Sequence, residues 1–191
     1  MNYHQYSDVE LASKFIAGDE EAFAELVRRY ARHIYNLAYR FTRDVGEAED
    51  LVQEVFFRVY KALPRSETPK SSLKPWILRI ATNLSINWVK KKKKPTFPEA
   101  KSNRELESFI DSLPDESALP SELFEQKNLQ EILQEAILRL PLKYQPVVVL
   151  RYSEELSFEE IAGVLNIPVG TAKIYFFRAK KLLREFLKET I

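Results

Sequence analysis

Apolar residues recur along this chain at helical spacing, and strand-like alternation is scarce. Ser7 to Glu10 reads S-x-x-E, a capping box that predicts a short helix carrying Leu11, Phe15 and Ile16 and ending at Gly18. Asp19 caps the next helix, whose Phe23, Leu26, Val27, Tyr30, Ile34, Leu37, Ala38 and Phe41 form one long stripe. A cap signal from Asp44 to Glu47 opens a third, from about Val45 to Leu63. Its inward arc is Ala48, Leu51, Val52, Val55, Phe56, Val59 and Leu63. Segment 64–75 reads as a Pro-rich loop. Beyond it, Ile77, Ile80, Ala81, Leu84 and Trp88 share one face of a fourth helix.

After Lys94 the stripe stops, and 95–120 reads as a linker with at most one short helical turn near Glu105 to Ile110. Periodicity resumes near Ser121, with Phe124, Ile132, Leu133, Ala136, Ile137 and Leu140 running to Pro141. A short helix from about Lys143 to Tyr152 follows. A second S-x-x-E box, Ser157 to Glu160, opens a helix with Ile161, Ala162 and Leu165. Asn166 stops that helix, and Pro168 restarts one at a first-turn position. Ala172, Phe176, Ala179, Leu183 and Leu187 then point inward. The pattern predicts an all-α protein of two small helical domains, 1–94 and 121–191, joined by an acidic linker, 95–120.

Composition removes several functions. The chain has no cysteine, hence no disulfide framework, thiolate metal site or cysteine nucleophile. His4 and His33 lack ligand spacing, and four glycines are too few for a Gly-rich phosphate loop. No cofactor, no metal and no enzymatic activity are expected, since no clustered carboxylates, His or Cys supply a site. The absence of an 18-residue apolar run argues against a membrane span. The start MNYHQYSDVE lacks the form of a signal peptide, so a cytoplasmic location is expected.

Charge changes the picture because it is so unevenly placed. The whole chain carries +1, yet Lys70 to Lys94 holds eight Lys/Arg and no acid. Residues 95–135 hold ten acids and three bases. On the fourth helix Arg79, Asn83, Ile86, Asn87 and Lys90 share the face opposite the stripe, and the helix runs out through Lys91, Lys92, Lys93 and Lys94. Lysines release counterions from phosphates and Asn side chains hydrogen-bond base edges, so this face suits nucleic acid. A solvated basic helix end is the competing reading. The acidic linker would restrain indiscriminate binding by the basic helix.

On the third helix the outward arc is Asp50, Gln53, Glu54, Phe57 and Lys61. An aromatic ring set among charges is the mark of a protein interface, unless another part of the chain covers it. A metal held by Asp50 and Glu54 has little support without a histidine nearby. The last two helices, joined by a tight turn, read as a helix-turn-helix, or else as a helical hairpin in a bundle. The outward face of the second shows Thr171, Lys173, Ile174, Phe177, Arg178 and Lys181.

Taken together, A-E-D-L-V-Q-E-V-F, P-W-I-L-R-I-A-T-N-L-x-I-N-W and S-F-E-E-I-A-G-V-L-N-I-P-V-G-T-A-K with R-A-K-K-L-L-R resemble a bacterial RNA polymerase sigma factor of the sigma-70 family. The small two-domain extracytoplasmic-function (ECF) type is the one they are similar to. The resemblance implies a specificity subunit for promoter-directed initiation. It places Asp50, Gln53, Glu54 and Phe57 against the clamp helices of the polymerase's largest subunit. Asn83, with Arg79, Asn87 and Lys90 to Lys94 beside it, falls on the −10 element, and loop 64–75 would hold a flipped base. The last helix would read the −35 element, and its domain would dock on the flap of the second-largest subunit.

One departure concerns the residues after Gly170, Thr171 and Lys173. The family usually has polar or basic residues there; this chain has Ile174, Tyr175, Phe176 and Phe177. Contact with thymine methyls or with a protein, such as an anti-sigma factor, gains weight accordingly. The linker adds a geometric expectation. The two promoter elements lie roughly 70 Å apart, and residues 95–120 reach about 85 Å only when extended. As a coil they average about 28 Å, so the polymerase would have to hold them stretched. The alternatives are a stand-alone helix-turn-helix regulator, which leaves Phe57 and its neighbours without a use, an enzyme acting on nucleic acid, for which no clustered carboxylates, His or Cys supply a site, and a helical adaptor without DNA contact.

Overall fold

The computed structural model describes residues 2–65, 72–92 and 127–188. Among these residues every regular element is helical, and the chain divides into two compact units. Loop positions 66–71, Lys93 and Lys94, the linker 95–120 and the expected domain start from Ser121 to Phe124 lie outside the described residues.

Among the described residues the N-terminal unit has four α-helices: α1 (Asp8–Ile16), α2 (Glu20–Thr42), α3 (Val45–Ala62) and α4 (Lys74–Lys92). Their starts are set by the local chemistry that the sequence announces. Ser7 and Glu10 complete a reciprocal capping box, the Asp19 side chain accepts from the Ala22 N–H, and that of Asp44 accepts from the Glu47 N–H. Gly18, at φ 100°, makes the turn between α1 and α2, and Arg43 closes α2 in the left-handed region. Helix α2 is the centre of the unit and packs on α1, α3 and α4. Leu11, Leu26, Ile34, Leu37, Leu63, Leu73, Ile77 and Leu78 are fully buried between them. Each such side chain contributes about 1.5–3 kcal/mol.

Two parts of the expected stripes are placed differently. Ile16 is exposed, as α1 ends one residue before the turn. On α4, Ile77, Ala81 and Leu84 are buried as expected, Ile80 and Trp88 only half so, and Leu78, Thr82, Ser85 and Val89 join the core. Ser85 goes inside because its hydroxyl donates back to the Ala81 carbonyl at 2.9 Å, which satisfies it.

Helix α2 also buries a charge. Glu25 is 1% exposed and takes the Arg28 and Arg29 guanidinium groups at 2.8 and 3.1 Å and His4 Nδ1 at 2.9 Å. Arg29 continues to Asp8 and to the Tyr3 and His4 carbonyls, so one carboxylate ties the N-terminal turn, α1 and α2 together. Burial pushes the Glu25 carboxyl up, but the Arg29 hydrogen bond and the charges of His4, Arg29 and Arg28 outweigh it and hold its pKa below the ordinary value. Glu10 is lowered as well, by its hydrogen bonds from Ser7. A carboxylate with a depressed folded pKa stabilises above its unfolded value, about 4.3, and loses that contribution as pH falls through the folded one. The urea midpoint should therefore stay level down to about pH 4.5 and fall below it. Glu25→Gln should lower the neutral midpoint and flatten the acid limb, and an unchanged limb would contradict the role assigned to Glu25.

The C-terminal unit has α5 (Lys127–Arg139), α6 (Gln145–Ser153), α7 (Phe158–Leu165) and α8 (Val169–Lys188). Helix α6 is buried on all sides from Gln145 to Leu150, which is why its sequence, QPVVVL, shows no polar face. The Gln145 side chain donates to the Leu138 and Leu140 carbonyls and so satisfies the open end of α5. Helix α8 packs on α5 and α6.

Candidate polymerase and promoter interfaces

Three surfaces gather the residues singled out above. On α3, the five inward positions Ala48, Leu51, Val55, Phe56 and Val59 fix the helix on the core, which turns Asp50, Gln53 and Phe57 to solvent. The Phe57 ring is 53% exposed. The Lys61 ammonium lies 3.9 Å from the ring centre. Glu54 is half-exposed and accepts from Arg58 at 2.6 Å. Sequence reasoning missed Tyr60, 41% exposed on the same helix. Its ring packs on Phe15 and Phe23 and its hydroxyl donates to Glu20 at 3.0 Å.

On α4, burial of Ile77, Ala81 and Leu84 leaves Arg79, Asn83, Asn87 and Lys90 exposed along one side, with Lys91 and Lys92 exposed at the end. No acidic residue lies on this helix. An acid does reach it from elsewhere. Glu47, in the first turn of α3, accepts the Trp88 indole N–H at 2.6 Å and lies 3.2 Å from the Lys92 ammonium. Lys92 in turn sits over the Trp88 ring at 4.5 Å.

In the C-terminal unit Ser157 and Glu160 cap α7 reciprocally, and Asn166, at φ 55°, closes it. The chain re-enters helix at Pro168–Val169, which is the expected helix, tight turn, helix. On α8, Phe177 is 49% exposed and Lys181 is exposed, while Thr171, Lys173 and Arg178 are half-exposed. Ile174 departs from expectation. It is buried, 8% exposed, where an exposed position was expected. Helical phase gives the direction in which a side chain leaves the axis, not what packs over it. Phe176 leans between Tyr152 and Phe158. An apolar groove lined by Leu133, Val148, Tyr152, Phe176, Leu183 and Leu187 opens beside it. The Tyr152 hydroxyl there is buried with no hydrogen-bond partner among the described residues, and burial pushes its pKa up against the opposing charges of Arg151 and Arg184.

A core-mounted helix with an acidic and aromatic outer arc, an acid-free helix and a helix-turn-helix unit define a sigma-type specificity subunit. Comparison with known proteins bears this out. The family description "Sigma-70 region 2" matches residues 26–94 and "Sigma-70, region 4" matches residues 130–183. The chain is 38% identical over 173 residues to the ECF RNA polymerase sigma factor SigW of Bacillus subtilis, covering 90% of this chain and 92% of that protein. It is 32% identical over 189 residues to the ECF RNA polymerase sigma-E factor of Escherichia coli, covering 94% and 93%. In fold it is similar to CnrH, solved with the cytosolic domain of CnrY, at a TM-score of 0.69 and 20% identity, covering 95% of this chain and 97% of that one. A second solved structure, the sigma factor RpoE of Bartonella quintana with the anti-sigma factor NepR, gives a TM-score of 0.63 at 22% identity, covering 87% and 96%.

The chain belongs to the ECF sigma factors of the sigma-70 family. It binds core RNA polymerase and directs promoter-specific initiation of transcription. Members of this family are regulatory subunits. Among the described residues no helix is long and apolar enough to cross a membrane.

Proposed function

We propose that the three surfaces divide the work of a sigma factor among named residues. Asp50, Gln53, Glu54 and Phe57 dock on the clamp helices of the largest polymerase subunit. Asn83 reads a −10 base, with Arg79 and Asn87 beside it, and Lys90 to Lys94 grip phosphate just upstream. The exposed side of α4 carries this assignment, because the helix has no acidic residue of its own and offers cations to phosphates and amides to base edges. Thr171, Lys173, Phe177, Arg178 and Lys181 face the −35 element, with Phe177 suited to thymine methyls. The C-terminal unit docks on the flap of the second-largest subunit. Residues 1–94 act as the core-binding and −10 domain, 121–191 as the −35 domain, and 95–120 as the connector. The protein acts in the cytoplasm, is not itself an enzyme, and needs no cofactor. The NepR complex makes an anti-sigma factor a natural further partner, and exposed Phe57 and Phe177 are the rings it would cover.

The energetics assign melting to the assembly. Opening ten base-pair steps costs about 14 kcal/mol, and capturing two or three bases returns roughly 3–6 kcal/mol. The isolated chain should not hold a bubble open.

The lysine run supplies the test. Five lysines at a helix end cannot all face one groove, so about two or three touch phosphate. Replacing all five with Gln should lower the log–log salt slope of promoter binding by holoenzyme by roughly two to three. Strong and weak promoters should lose affinity alike. An unchanged slope refutes phosphate contact, and an altered promoter ratio would mean that the lysines read sequence.

A further inference from the structure

The Glu47 carboxylate is an acid brought by folding onto a helix that carries none of its own. Forty-one residues separate it from Trp88 in sequence. The Asp44 side chain caps its N–H at 2.9 Å, which fixes its backbone at the start of α3. Its two oxygens are used separately: Oε2 accepts the indole N–H of Trp88 at 2.6 Å, and Oε1 pairs with Lys92 at 3.2 Å. The Trp88 ring lies beneath the same ammonium at 4.5 Å, so Lys92 is held from two sides. An anionic oxygen at this distance from a lysine is what a DNA phosphate would offer.

We propose that Glu47 stands in for a phosphate and competes with DNA for Lys92, which restrains the sequence-independent grip of the basic end of α4. This rests on the assignment of that end to phosphate. The remaining lysines are left to make the contact, with Lys90 and Lys91 exposed beside the held one. Lys92 is 58% exposed, so the pair it makes with Glu47 is of the weak, screened kind and yields to DNA rather than blocking it.

Glu47→Gln keeps an oxygen for the Trp88 indole and removes the charge. Holoenzyme carrying it should bind a promoter duplex, at about physiological salt, roughly 1.5- to 5-fold tighter than wild type, the span set by an exposed ion pair. In a Lys92→Gln background the same substitution should change nothing. Tightening of equal size in both backgrounds would mean a general charge effect and overturn the proposal, as would unchanged or weaker binding by Glu47→Gln. A Lys90→Gln, Lys91→Gln pair separates this from the underlying assignment. If that pair weakens binding while Glu47→Gln does not tighten it, the Glu47 proposal alone fails. If neither has an effect, the phosphate assignment fails with it.

Discussion

Reversing two charges on α3, Asp50→Arg with Glu54→Lys, should weaken binding to core RNA polymerase by about 100-fold or more and leave the fold intact. Like charges brought face to face across an interface cost several kcal/mol, and every 1.4 kcal/mol is a factor of ten. The fold should survive because neither side chain supports it. Asp50 is exposed, and Glu54 gives up only its exposed pair with Arg58, worth about 0.3–0.5 kcal/mol. Phe57→Ala should act in the same direction, since an aromatic anchor at a protein contact carries about 2 kcal/mol or more. In the free protein the ring is 53% exposed and the Lys61 contact it gives up is worth about 0.5–1 kcal/mol, so the fold should tolerate the change. Pull-down against core, with helicity followed by circular dichroism, measures both quantities. Normal helicity with unchanged core affinity would remove α3 from the polymerase contact.

Asn83→Ala should cost about 1–3 kcal/mol of discrimination, roughly 5- to 150-fold, at a single −10 position. Asn83 is exposed between Arg79 one turn before it and Asn87 one turn after it, so the substitution removes an amide from the surface and nothing from the core. Transcription from templates varied at each −10 base should show preference relaxing at that position alone. A uniform loss across all positions would assign Asn83 to the backbone or to folding.

What the sequence made legible was mostly local. The Ser7–Glu10 and Ser157–Glu160 boxes, the Asp19 and Asp44 caps and the Asn166 stop act within four residues of themselves, and each is seen in the structure. The two arcs of α3 were also legible, because large apolar and charged residues alternate there with little ambiguity. Phe57 stood out by breaking that rule, and it is indeed uncovered. Helix α4 was harder. Thr82 and Ser85 look like surface residues but lie inside; the Ser85 hydroxyl bonds back to its own helix, which gives no outward sign of burial, while the Thr82 hydroxyl has no hydrogen-bond partner among the described residues. Glu25 was missed for a related reason. A lone Glu on a helix reads as solvated, although Arg28 and Arg29 at the third and fourth positions beyond it were a usable hint. Ile174 is buried where exposure was expected, because phase along one helix carries no information about what packs on it. Glu47 and Trp88 meet only in three dimensions, so no spacing rule could have paired them.

We propose that α3 faces polymerase and α4 faces promoter DNA from one small domain. Reconstituted transcription tests it most directly. Core RNA polymerase supplied with this chain should start at defined promoters, with dependence on both −10 and −35 sequences. The Asp50→Arg, Glu54→Lys chain should support no such starts even at promoters the wild type uses well. A chain that bound promoter duplex tightly as a dimer without core, and left the start sites of core unchanged, would contradict the account and favour a stand-alone helix-turn-helix regulator.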